Sequence, residues 1–103
     1  MAWGVLTDVS APVEMYDAVH AEVLRRAGTT VDGLLVHIAR PTARGFQIIE
    51  VWESQADFER YQEQLIGPAV AAVSARMPDF AAEPHSTEFD VRGLLLPRDG
   101  VLA

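Results

Sequence analysis

The reading turns on one stretch: Gly33-Leu34-Leu35-Val36-His37-Ile38-Ala39-Arg40, then Pro41-Thr42-Ala43-Arg44, then Gly45-Phe46-Gln47-Ile48-Ile49-Glu50-Val51-Trp52-Glu53. Two runs rich in β-branched and aromatic residues flank a short turn-forming segment, which is the pattern of a β-hairpin. Neighbouring strand residues point to opposite faces. Apolar residues fill both faces here (Leu35 beside Val36, Ile48 beside Ile49), so both sides of this hairpin need cover.

Upstream, Trp3 to Val9 reads as a strand closed by Ser10-Ala11-Pro12. A helix is expected over about 12–27. Pro12 lies in its first turn, where a missing N–H costs nothing, and Ser10 is the better cap. Val13, Tyr16, Val19, His20, Val23 and Ala27 form its apolar stripe, while Glu14, Asp17, Glu22 and Arg25 fall away from it. Gly28 ends the helix. Downstream, Ser54-Gln55-Ala56-Asp57 has capping-box shape and starts a helix with Phe58, Tyr61, Gln62 and Leu65 on one side. Gly67-Pro68 should break or kink it before a second piece, 68–77. Residues 78–87 read as a polar linker and 88–96 as the last strand.

The resulting β-α-β-β-α-β order predicts a single ferredoxin-like α+β domain spanning 1–103, with a four-stranded antiparallel sheet and both helices on one face. The uncovered apolar face predicts a homodimer, because a second copy is the simplest cover. Each buried large apolar side chain would contribute about 1.5–3 kcal/mol.

Composition narrows the function. The net charge is −7, there is no lysine, and the eight arginines are scattered along the chain. Nucleic acid, which is bound through clustered cations, is therefore not an expected partner, nor is an anionic membrane. Without cysteine there are no disulfides, thiolate metal sites or thiol nucleophiles. No signal peptide or membrane span is evident, so a soluble, cytoplasmic chain is expected. The three histidines lack the spacing of a metal motif, and there is no phosphate loop or nucleophile elbow. No cofactor is expected.

The hairpin quoted above, continued by Ser54 and by Phe58-Glu59-Arg60-Tyr61, resembles the dimeric α/β barrel superfamily. The likeness is to bacterial members, often from actinomycetes, related to antibiotic-biosynthesis monooxygenases and stress-responsive barrel proteins. It implies a dimeric barrel with a ligand pocket between each sheet and its helices. That fold hosts cofactor-free oxygenation of aromatic polyketides, haem degradation, isomerisation and simple binding. The haem-degrading members resemble one another in an Asn/Trp/His set, with the ligating His on the helix after the third strand. This chain has no asparagine, and no histidine between Ser54 and Met77, so haem degradation is not expected. The Asn-containing pattern of the quinone-forming oxygenases is not reproduced either.

The candidate catalytic residues are His37 and His20. Histidine is the natural proton carrier near neutrality, and related members carry a matching Gly-x-x-x-His strand. Either residue is a pocket base or a hydrogen-bonded core residue, and a one-residue slip of the hairpin would reverse the face that His37 takes. Tyr16, four residues before His20, would neighbour it on the helix. Glu50 is the one acid inside an apolar strand; beside Trp52 in a dry cleft it could act as acid or base, or it could pair with Arg40 or Arg92. Tyr16, Glu50, Trp52, Phe58 and Tyr61 are the candidate substrate-binding residues. The ligand would be an apolar or aromatic, polyketide-like small molecule undergoing oxygenation, cyclisation or isomerisation. A non-catalytic binding or interaction protein is the alternative. Trp3 reads as core or interface, and His85 as solvated linker.

Overall fold

The computed structural model describes residues 2–77 and 84–96. Along the chain run β1 (Trp3–Val9), α1 (Val13–Ala27), β2 (Leu34–Pro41), β3 (Phe46–Trp52), α2 (Gln55–Tyr61), a π-helical turn (Gln62–Ile66), α3 (Gly67–Arg76) and β4 (Pro84–Asp90). The strands form one antiparallel sheet in the order β2-β3-β1-β4. That is the ferredoxin-like arrangement expected from the element order.

The hairpin loop fixes the phase of the sheet. Thr42 and Gly45 exchange backbone hydrogen bonds (2.9 and 3.3 Å), and Thr42 Oγ1 also accepts from the Gly45 N–H at 3.1 Å. This closure sets Pro41 opposite Phe46, and hence His37 opposite Glu50. Directly opposed residues share a face. The helix-side face therefore carries Val5, His37, Phe46, Glu50 and Trp52, and the outer face Leu6, Val36, Ile38, Ile49 and Val51. A register shift between Leu34 and Val36 then returns Leu34 to the helix side, opposite Trp52.

Two buried clusters hold the helices on the sheet. One gathers Val5, Val23, Trp52, Tyr61 and Ala69; the other gathers Val9, Ala11, Met15 and Phe46. Among the described residues no helix or strand layer lies over the outer face. Ile38 is 51% exposed, and Phe89, whose ring lies where a side chain on Gly4 would be, is 38% exposed.

Several expectations are corrected. The last strand covers 84–90 rather than 88–96, so His85, Ser86 and Thr87 belong to it; the rest of the expected linker, 78–83, lies outside the described residues. The register explains the end point. Asp90 already pairs with Trp3, the first residue of β1, so Leu94, Leu95 and Leu96 have no strand left to join. At α1, Pro12 occupies the cap position and no side chain caps the helix, so Ser10 does not serve. Gly28 does end the helix, its N–H bonding the Leu24 carbonyl. Gly67-Pro68 causes no break. Pro68 has no N–H to give the Gln64 carbonyl, and the helix absorbs this as a π turn in which the Gly67 N–H reaches Gln62 O. Ser54 caps α2 as expected, its Oγ accepting from the Asp57 N–H at 3.2 Å.

Glu22 is the largest surprise in α1, buried rather than facing away. It accepts from Arg25 and from Arg26, and lies 3.8 Å from Arg76 of α3. Three of the arginines that look scattered in sequence thus converge on one carboxylate. The Arg25 hydrogen bond, with the charges of Arg25 and Arg26, holds Glu22 down to a pKa of about 2.

Candidate functional site

Five of the residues singled out from sequence form one hydrogen-bonded chain beneath the helices. On β3, Glu50 is 4% exposed. Its Oε2 lies 2.6 Å from His37 Nδ1 on β2, and its Oε1 accepts from the Trp52 indole N–H at 3.3 Å. His37 Nε2 lies 2.7 Å from Tyr16 Oη on α1, and Tyr16 Oη lies 3.3 Å from His20 Nδ1, one turn further along. The three rings lie nearly parallel: Tyr16 is tilted 16° from His20 and 19° from His37, with centroids 5.4 and 6.0 Å apart. Glu50 therefore pairs with a histidine and not with Arg40, which bonds Gln47 on the outer face at 2.8 Å.

The end groups give this chain one consistent direction when Glu50 is a carboxylate and His37 is neutral. An indole N–H only donates and a carboxylate only accepts. With Glu50 as carboxylate, His37 Nδ1 carries the proton, leaving Nε2 of a neutral His37 as an acceptor. Tyr16 then donates to Nε2, and its oxygen accepts from His20 Nδ1–H. His20 Nε2, at the partly exposed end, is left bare. Sequence spacing paired Tyr16 with His20, but the cross-element bonds exist only because β2 and α1 meet on the helix side.

Burial also perturbs the titration of two members of the chain. Burial, then the negative charges of Glu50 and Asp17, push the Tyr16 phenol up to about 12, so it stays neutral near neutrality. Burial and then the neighbouring His37 hold His20 below the ordinary histidine value, against the opposing pull of Asp17. That lowering favours the unprotonated imidazole of His20 near neutrality.

Phe58 and Tyr61 both pack against Trp52. Trp52 is fully buried, its ring centroid 4.9 Å from Tyr61 and 5.9 Å from Phe58, while Trp3 lies 5.0 Å from Phe58. Burial, with smaller contributions from Glu50 and Tyr16, raises the Tyr61 phenol well above its usual range. Two hollows open elsewhere on the surface. One, about 180 Å³, is bordered by the 30–32 segment, Asp57, Arg60, Tyr61 and Leu65. The other is an open groove of about 460 Å³ between residues 10–13 and 41–45. Neither is lined by Tyr16, His20, His37 or Glu50. Among the described residues no three His, Asp or Glu side chains form a metal-holding group, and no helix is long and apolar enough to cross a membrane.

No family model matches the sequence, and no curated protein matches it either. Solved structures do. A protein of unknown function from Nitrosomonas europaea superposes with a TM-score of 0.67 at 15% identity, over 93% of this chain and 94% of that one. SnoaB, a cofactor-independent oxygenase from Streptomyces nogalater, gives 0.61 at 15% identity, over 91% and 96%. A candidate antibiotic biosynthesis monooxygenase from Chloroflexus aurantiacus gives 0.58 at 22% identity, over 94% and 100%. This chain has their fold. It is the ferredoxin-like architecture of the antibiotic-biosynthesis-monooxygenase barrels, in agreement with the likeness read from the hairpin. At such identities the ferredoxin-like fold is what is shared, and the chemistry must be argued from the side chains.

Proposed function

We propose that this protein is a cofactor-free small-molecule enzyme. Its first step is removal of a proton from a weakly acidic aromatic or polyketide-like substrate, and the chain His20–Tyr16–His37–Glu50 receives that proton. Substrate gives its proton to His20 Nε2; His20 passes the proton on Nδ1 to Tyr16 Oη; Tyr16 passes its own to His37 Nε2. The products are a substrate anion, a neutral His20, a neutral Tyr16 and a His37 imidazolium paired with the Glu50 carboxylate. Charge thus moves away from the substrate into a buried pair, and Trp52 holds the carboxylate oriented through its second oxygen. The observation that carries this reading is the unbroken hydrogen-bond chain from Glu50 through His37 and Tyr16 to His20, whose Nε2 has no hydrogen-bond partner among the described residues.

Proton removal is common to cyclisation, isomerisation and oxygenation. In oxygenation the anion is the electron donor and molecular oxygen the oxidant, so no cofactor is required. The fold shared with SnoaB supports oxygenation among these. We further infer a homodimer, in which a second copy covers the outer face around Ile38, Ile49 and Phe89.

Anthrone provides a test that separates the steps. Under nitrogen in D2O, enzyme-dependent deuterium exchange at its acidic carbon reads proton removal alone; in air, oxygen uptake with formation of the quinone reads oxygenation. Tyr16→Phe should slow exchange on the order of 10²-fold or more. Equal exchange by the native protein and by a His20→Ala/His37→Ala variant would remove the proposal.

A further inference from the structure

The chain has two tyrosines, Tyr16 and Tyr61, and the fold gives them different surroundings. Tyr16 Oη lies 2.7 Å from His37 Nε2, and His37 Nδ1 lies 2.6 Å from Glu50 Oε2. Tyr61 sets its ring 4.9 Å from that of Trp52, and its hydroxyl has no hydrogen-bond partner among the described residues. One phenol is thus provided with a base and the other is not.

That contrast bears on one-electron chemistry. Removing an electron from a neutral phenol leaves a radical cation far more acidic than the phenol, so the proton must leave with the electron. A phenolate would escape this requirement, but burial keeps both hydroxyls protonated well above neutrality. The position of a proton acceptor therefore decides which tyrosine is the easier to oxidise. With Glu50 ionised and His37 neutral, His37 Nε2 is an unprotonated imidazole nitrogen at hydrogen-bond distance from the Tyr16 oxygen. The proton moves along a bond that already exists, and the imidazolium it makes is held by the Glu50 carboxylate. The Tyr16 oxygen, left without its proton, can still accept from His37 and from His20 Nδ1, 3.3 Å away. Tyr61 has no such partner among the described residues and must release its proton to water, a far weaker base than imidazole.

We propose that Tyr16 is a redox-active residue, which gives one electron to an aromatic or organic peroxyl radical at the His20 end while its proton passes to His37 Nε2. The O–H bond of Tyr16 breaks and an N–H bond on His37 forms. The incoming radical is reduced to its anion, and the protein is left with a Tyr16 phenoxyl radical and a His37 imidazolium. One electron from a soluble enediol or thiol reductant, with return of the His37 proton, restores the starting pair. The Tyr16 and His20 rings are stacked with centroids 5.4 Å apart, so a radical in contact with His20 is one ring away from the donor. These steps use the same hydrogen bonds as the proton-removal reading but need no acidic substrate.

The test applies a flash-generated ruthenium(III) tris-bipyridine oxidant to the full-length protein carrying ring-deuterated tyrosine, and reads the radical by freeze-quench EPR. A tyrosyl signal is expected in the native protein and in Tyr61→Phe, and should be lost in Tyr16→Phe. Its formation should be slower in D2O than in water. His37→Gln should slow it on the order of 10²-fold, because an amide is a poor proton acceptor. If that variant does not fold, the two tyrosine variants and the D2O comparison decide. Absence of a tyrosyl signal from the native protein would overturn the proposal, as would a signal that disappears with Tyr61 rather than with Tyr16, or equal rates in water and D2O. No substrate is present, so failure here leaves the anthrone result standing, and failure of anthrone exchange leaves this one standing.

Discussion

Glu50→Gln changes one atom and should reverse the whole proton chain. The glutamine oxygen can take the Trp52 N–H, but its amide N–H₂ must then face His37 Nδ1. Two donors cannot share that contact. His37 responds by moving its proton to Nε2, which donates to Tyr16; Tyr16 then donates to His20 Nδ1, and His20 carries its proton on Nε2. The outward-facing nitrogen is no longer a base. Two hydrogen bonds to a charged acceptor, worth about 1.5–3 kcal/mol each, become neutral ones of about 0.5–1.5 kcal/mol. Relief from burying a charge offsets a loss of that size. The net stability change should therefore stay within about 2 kcal/mol. For a domain of this length each kcal/mol shifts Tm by roughly 4–8 °C. The kinetic effect should be much larger: a base held in the wrong tautomer by a carboxylate-to-amide change costs on the order of 10⁴-fold in the serine-protease triad. The assays are 15N NMR of the His20 and His37 ring nitrogens, which reads the tautomers directly, and anthrone deuterium exchange. Should His37 keep its proton on Nδ1 in Glu50→Gln, or should exchange stay within twofold of the native rate, the reasoning is wrong.

Three other outcomes are expected. Both tyrosines have raised pKa values, Tyr16 to about 12, so ultraviolet titration of the folded protein should show no tyrosinate step near pH 10; the stabilisation from Tyr16 is complete below about 10 and lost toward 12. Glu22 is depressed from 4.5 to about 2, so its ion cluster stabilises the fold above pH 4.5 and ceases to as pH falls toward 2; urea midpoints measured across that interval should drop less steeply in Glu22→Gln. Ile38→Arg places a charge on the uncovered sheet face, and light scattering should show it monomeric where the native chain is dimeric; a native monomer at micromolar concentration would refute the dimer.

The element order, the hairpin and the helix capped by Ser54 are legible in the sequence because each is set by short-range chemistry: strand alternation, a turn-forming segment, a cap three residues from its acid. Local chemistry also paired Tyr16 with His20, and it marked His37, Glu50 and Trp52 as out of place in an apolar strand. The tertiary structure alone decided which face His37 and Glu50 occupy, because a one-residue change in hairpin register reverses every side chain. It also decided where β4 ends, since that depends on where β1 runs out, and it brought Arg25, Arg26 and Arg76 to Glu22 across two helices. Sequence spacing fixes neighbours one turn or two strand residues apart. A hydrogen-bonded chain through α1, β2 and β3 needs the distances between those elements, and only packing sets them.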